Sequence, residues 1–141
     1  MGVVLSMTRR VQFAETDMAG VLHFSNYFRY MEEAEHAFWR SVGLTVYLRD
    51  GDPHLSWPRV SATCEYFAPL RFEDELELAL RVTKLGEKSL HYEVDFRRGE
   101  ERCAIGKITA VCCATQPGSF APTAIPPEIR KRLEAGERFK G

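Results

Sequence analysis

Three stretches of the chain alternate apolar and polar residues almost strictly. "ELELALRV" puts Leu76, Leu78, Leu80 and Val82 on one side, and "SLHYEVDF" does the same with Leu90, Tyr92, Val94 and Phe96. "RVSATCEYF" follows the pattern with Val60, Ala62, Cys64 and Tyr66. A period of two predicts strands with one face buried. A fourth stretch, "AIGKITAVCCAT", is apolar on both faces in part, as a central strand would be. The short Gly-containing links "KLGEK" and "RRGEE" fit hairpins between consecutive antiparallel strands. A further strand is predicted at the start, around Val3 to Phe13.

Between that first strand and the others the period changes. Tyr27, Tyr30, Met31, Ala34, Phe38 and Val42 recur at steps of three and four, which predicts a helix from about Ser25 to Val42. Arg29, Glu32, Glu33, Glu35 and Arg40 fill the other side and read as a solvated or interface face. Ser25 suits an N-cap and Gly43 a C′ residue. "AIPPEIRKRLE" reads as a short terminal helix opened by prolines, and "TVYLRDGDPHLSWPRVS" as a loop. A sheet of this kind must bury one face, and the long apolar helix is available to cover it. The expectation is an α+β domain with one antiparallel β-sheet wrapped around one central helix. The partly apolar second face of the last strand suggests that another surface packs there, most simply a second subunit.

Composition narrows the partners. The 141 residues suit a single domain spanning 1–141, and with 45% hydrophobic and 28% charged residues they read as globular. A formal net charge of -1 gives no reason to expect nucleic acid or an anionic membrane as partner. No apolar run is long enough to span a bilayer, and the Arg9-Arg10 pair follows the apolar N-terminal stretch, the wrong order for a secretory signal. Cys64, Cys103, Cys112 and Cys113 lack C-x-x-C spacing, which suits free thiols in a reducing cytoplasm. His36, His54 and His91 are scattered and suggest no metal site.

One long stretch goes further. "VQFAETDMAGVLHFSNYFRYMEEAEHAFWRSVGL" resembles the N-terminal signature of the 4-hydroxybenzoyl-CoA thioesterase family of hotdog-fold enzymes. Asp17, Gly20, Asn26, Tyr27, Glu32 and Gly43 fall in the matching places, and the likeness continues through "YFAPLRFEDELELALRVTKLGEKSLHYEVDF" to cover about residues 8–116. The resemblance implies a hotdog fold, a dimer with a continuous sheet that often pairs into a tetramer, and hydrolysis of acyl-CoA thioesters. It implies no cofactor, since coenzyme A is part of the substrate. By the same resemblance Asp17 is the catalytic carboxylate, and backbone N–H groups at the helix start, near His23, Phe24 and Ser25, polarise the thioester carbonyl. In this fold Asn26, Tyr27 and the loop residues Leu48, Leu55 and Trp57 are candidate acyl-pocket walls. Arg59, Lys88 and Arg97 are candidates for the CoA phosphates, with Arg71, Lys84, Arg98 and Lys107 behind them.

The chemistry fits these residue types. A carboxylate can attack a thioester carbonyl to give a mixed anhydride, or it can activate water, and Asp17 suits either. A helix N-terminus supplies unpaired N–H groups and a positive dipole end for the oxyanion. Gly20 in "MAGV" lets backbone or substrate approach closely. Asp17 could also be an ordinary Asx-turn residue. His23 departs from the aromatic residue that many family members carry, so catalysis, pocket lining and structure all stay open for it. Two other functions remain: a hotdog enoyl-CoA hydratase or dehydratase using Asp17 and His23, whose Asn-Pro motif "DMAGVLH" lacks, and a non-catalytic acyl-CoA binding protein.

Overall fold

A computed structural model of the chain describes residues 4–46 and 54–138. The chain forms β1 (Leu5–Arg10), a 3-10 turn (Phe13–Glu15), α1 (Phe24–Ser41), β2 (His54–Ser56) and β3 (Arg59–Tyr66). It continues through β4 (Glu75–Leu85), β5 (Ser89–Arg98), β6 (Glu101–Val111), β7 (Cys113–Gln116), β8 (Ser119–Pro122) and α2 (Pro127–Arg138). Five strands make one antiparallel sheet in the order β1-β4-β5-β6-β3. A smaller sheet follows the order β2-β7-β8. Helix α1 lies against the large sheet, touching β1, β3, β4 and β6, which is the α+β hotdog arrangement the resemblance implies.

The period-two residues of β4 and β5 are all buried, and they share one core with Tyr27, Tyr30, Met31, Ala34 and Phe38 of the helix. Gly43 takes φ +79 just past the helix, a left-handed turn that Gly adopts without a steric cost. Helix and sheet come close at Gly106 of β6, where an added Cβ would collide with the Met31 thioether.

Several expectations need correction. β3 pairs with β6 and not with its sequence neighbour β4, so it closes one edge of the sheet. Alternation reports which face is buried and says nothing about which strand is the neighbour. Val60 and Tyr66 of this edge strand are exposed, where a buried face would have covered them. "AIGKITAVCCAT" breaks at Cys112, where the chain leaves the large sheet for the small one. The stretch expected to be a loop contains β2, paired to β7. Leu48 and Val3 lie outside the described residues.

The acidic helix face also differs from expectation. Glu35 is completely buried. Its carboxylate is paired with the Arg59 guanidinium and accepts hydrogen bonds from the Tyr92 hydroxyl (2.8 Å) and the Trp39 indole N–H (3.1 Å). A buried carboxylate is tolerated when its oxygens are satisfied in this way.

A second cluster holds the chain between β1 and the helix. Arg9 donates to Glu15 through both Nη atoms (3.2 and 2.6 Å) and to Glu33 through Nε (2.9 Å). Tyr30 Oη donates to the Glu15 carboxylate at 2.5 Å, and the Gln12 N–H does so at 2.9 Å. Burial pushes the Glu15 carboxyl up, but hydrogen bonds from Arg9, Tyr30 and Gln12 outweigh it and hold its pKa below the ordinary value. A lowered carboxyl pKa contributes stability in full above the unfolded value, and that contribution is lost as the pH falls through the folded value.

Two outcomes follow. Gly106→Val should cost about 1–3 kcal/mol of stability, seen as a lower urea midpoint with an unchanged slope. Glu15→Gln should be less stable than the parent at neutral pH. The gap between them should close as the pH drops below the ordinary glutamate value of about 4.3. Urea titrations across pH check this, and a gap that persists unchanged in acid would contradict it.

Candidate active site

Asp17 sits in a tight turn between the 3-10 segment and α1. Its N–H donates to the Val21 carbonyl (2.9 Å), and Gly20 N–H donates back to the Asp17 carbonyl (2.9 Å). Gly20 has φ +80, a conformation a side-chain-bearing residue would strain to reach. Asp17 Oδ1 accepts from Ala19 N–H (2.8 Å) and Val21 N–H (3.3 Å). That is an Asx turn, and it occupies one carboxylate oxygen. Oδ2 has no hydrogen-bond partner among the described residues.

The turn is fixed on both sides. The carbonyl of Glu15 accepts from His23 N–H (2.9 Å) and from the Asn26 side-chain amide (2.8 Å). Leu22 N–H donates to the Leu70 carbonyl (2.7 Å) and Val21 bridges Arg71, which draws the segment after β3 over the turn. Together they border a cavity of about 390 Å³, open to solvent on one side, lined by Asp17, Val21, Leu22, Phe24, Tyr27 and residues Tyr66 to Pro69. Its aromatic walls are built: the Tyr27 and Tyr66 rings meet edge to face at 4.8 Å, and Tyr66 Oη donates to the Phe24 carbonyl at 3.3 Å. Burial pushes the Tyr27 phenol up to about 12, so it is protonated at neutral pH.

Helix α1 starts at this cavity. His23, and not Ser25, is its N-cap: the His23 ring Nδ1 accepts from Ser25 N–H (3.3 Å) and meets Ser25 Oγ at 2.8 Å. The Glu15 carbonyl holds His23 in extended conformation, so the helix begins with Phe24, two residues before Asn26. Asn26 N–H donates to the His23 carbonyl. The Phe24 N–H has no partner among the described residues. An unpaired N–H at a helix N-terminus carries partial positive charge and can receive an oxyanion.

The sequence candidates therefore separate. Asp17, Phe24 and Tyr27 line one cavity, while Gly20, His23, Ser25 and Asn26 shape the turn and helix start around it. Trp57 is buried against Trp39 (ring centroids 5.0 Å apart), away from this cavity. Arg59 is engaged by Glu35 and the Trp57 carbonyl, and Arg97 by Asp95 (2.9 Å) and the Glu100 carbonyl. Lys88 is exposed on the β4–β5 hairpin. Leu22 is bonded to Leu70 and Val21 bridges Arg71 near the start of β4, so this hairpin lies a strand length from Asp17, roughly 30 Å by strand rise. Sequence reasoning missed the wall from Tyr66 to Pro69, which lies about fifty residues from Asp17 in the chain. An aromatic pair followed by Pro, just after a strand, was its one local sign.

Comparison with known proteins gives the family of the chain. The family described as the thioesterase-like superfamily matches residues 11–133. A protein of Aquifex aeolicus (strain VF5) is 36% identical over 127 residues, covering 89% of this chain and 94% of its own. A 1,4-dihydroxy-2-naphthoyl-CoA hydrolase of Synechococcus sp. (strain WH7803) is 28% identical over 138 residues, covering 93% of this chain and 89% of its own. The solved structure of a gentisyl-coenzyme A thioesterase is 29% identical with a TM-score of 0.77, covering 89% of this chain and 99% of that one. No helix among the described residues is long and apolar enough to cross a membrane. The chain belongs to the thioesterase-like superfamily of hotdog-fold acyl-CoA thioester hydrolases.

Proposed function

We propose that this chain hydrolyses the thioester of a small aromatic acyl-CoA, with Asp17 as its carboxylate and the Phe24 N–H as oxyanion donor. The observation that carries this reading is that Asp17, with one carboxylate oxygen unpaired among the described residues, and Phe24, whose helix N–H is likewise unpaired, line the same cavity. The thioester carbonyl oxygen points to Phe24 N–H, with the weakly held Ser25 N–H beside it. Asp17 Oδ2 faces the carbonyl carbon and either adds to it or takes a proton from the attacking water. Oδ1 stays bound to Ala19 and Val21, which fixes the attacking oxygen in place. On the first route the sulfur leaves as a mixed anhydride forms, and water then hydrolyses that anhydride. On the second the water oxygen joins the acyl carbon as the sulfur leaves. Either way the products are the CoA thiol and the free carboxylate, with Asp17 regenerated. Aromatic rings on the cavity walls favour an aromatic acyl group, and relatives named for dihydroxynaphthoyl-CoA and gentisyl-CoA support the same class.

The working form in this reading is a homo-oligomer. β3 has a free hydrogen-bonding edge, and exposed Val60, Tyr66 and Phe67 lie on or next to it. A second copy pairing antiparallel along β3 would cover them. It would also bring its own Arg59 and Lys88 end toward the first copy's Tyr66 and cavity. These would join Arg71, which bridges Val21, and Arg98, which donates to the Pro69 carbonyl (3.1 Å), around the site and give CoA an interface to lie along. His23 in this reading caps the helix and tunes the pocket mouth.

Free-thiol release from benzoyl-, gentisyl-, 1,4-dihydroxy-2-naphthoyl-, acetyl- and octanoyl-CoA tests the activity. Aromatic substrates should turn over fastest, and Asp17→Asn should lower kcat by at least ~10²-fold while the substrate still binds. Undiminished turnover in Asp17→Asn would sink the mechanism. Water addition to an enoyl-CoA would favour a hydratase, and binding without turnover a non-catalytic binder. Sedimentation should give a dimer or tetramer, and Val60→Lys should shift it toward monomer with loss of activity.

A further inference from the structure

Glu15 grips both parts of the site. Its carbonyl accepts from His23 N–H and from the Asn26 amide, the two groups flanking the Phe24–Ser25 helix start. Its Cα lies two residues before Asp17, with no free segment between them: the Thr16 side chain and N–H both return to the Phe13 carbonyl. Its carboxylate, almost fully buried, is held by donors from three places, namely Arg9 on β1, Tyr30 on α1 and the Gln12 N–H. Arg9 is in turn fixed by Glu33 and lies over the Tyr30 ring at 4.3 Å. Tyr30 stands two helical turns into α1, so this anchor ties Asp17 to the body of the helix rather than to its frayed start.

We propose that Glu15 is the positioning residue of this site: its buried carboxylate, gripped by Arg9 and Tyr30, sets the distance between the Asp17 carboxylate and the Phe24 N–H. Glu15 touches neither substrate nor reacting atoms. It acts because both groups that do so hang from its two ends. A shift of about 1 Å at a reacting centre can cost ~10²-fold in rate, and the shift affects attack on the carbonyl far more than retention of CoA. This inference rests on the thioesterase reading given above.

The test is a kinetic cycle on the full-length protein with whichever aromatic acyl-CoA the wild type turns over fastest. Glu15→Gln keeps the shape but turns an amide N–H₂ toward donors. It should lower kcat at least tenfold with KM within twofold of wild type. Tyr30→Phe removes one donor and should lower kcat about threefold. The double variant should be no slower than Glu15→Gln alone, because both changes act through one anchor. Ile129→Ala on α2, which loosens the fold far from the site, should lower the melting temperature and leave kcat unchanged. If Glu15→Gln proves too unstable to assay, Tyr30→Phe against Ile129→Ala decides the matter. Wild-type turnover with unchanged kcat in Glu15→Gln and Tyr30→Phe, or a kcat loss in Ile129→Ala equal to theirs, would overturn the positioning role. A wild type that releases no thiol from any acyl-CoA would instead overturn the reading beneath it.

Discussion

One peptide carbonyl, that of Glu15, accepts hydrogen bonds from the backbone of His23 and the side chain of Asn26. It ties the helix start to the segment that carries the Asp17 turn, beside the Thr16–Leu22 bridge that closes the turn itself. Together they form a single closed unit of about a dozen residues. Its shape is completed by the Asx turn at Asp17 and the left-handed Gly20. That unit displays a carboxylate with one oxygen bonded and one without a partner among the described residues, and a helix whose first N–H has no partner there either. The capping of α1 is arranged to spare that donor. His23 satisfies Ser25 and Asn26, and Phe24 is passed over.

Helix α1 is held at two levels by charge, and each level has a different consequence. Near its start the Arg9, Glu15 and Glu33 cluster joins β1 to the helix beside the site. Further along, Glu35 is buried with Arg59, Tyr92 and Trp39. Burying a carboxylate is costly, and an apolar replacement of similar shape is often no less stable. What such a pair adds is register: α1 cannot rotate or slide on the sheet without exposing an unpaired charge. Gly106 adds a steric limit at the crossing with Met31. The apolar core supplies most of the driving force for folding. These polar and steric contacts determine where along the sheet the helix N-terminus comes to rest.

Much of this was legible in the chain. β4 and β5 bury one face, so Leu76 to Val82 and Leu90 to Phe96 carry the period-two signal plainly. The three-and-four spacing of α1 was equally clear, and Asp17 with Gly20 could be found from a local motif. What stayed hidden depends on long-range pairing. The edge position of β3 is a choice of partner, which alternation does not encode. Glu35 reads as surface because an acid on an acidic helix usually is. Its burial depends on Arg59 and Tyr92, 24 and 57 residues away. The N-cap moved from Ser25 to His23 because the Glu15 carbonyl reaches back across the turn, a contact no local pattern announces. The cavity wall from Tyr66 to Pro69 arrives by the Leu22–Leu70 bond, again across the chain.

The proposed hydrolysis rests on polarisation of the thioester carbonyl by the helix start, with Asp17 beside it. Infrared difference spectra of a carbonyl-¹³C-labelled aromatic acyl-CoA bound to Asp17→Asn address it most directly, since binding occurs there with little turnover. The carbonyl stretch should move to lower frequency on binding than in water, through the hydrogen bond from Phe24 N–H. A bound carbonyl with the frequency of the free thioester in water, or higher, would contradict it.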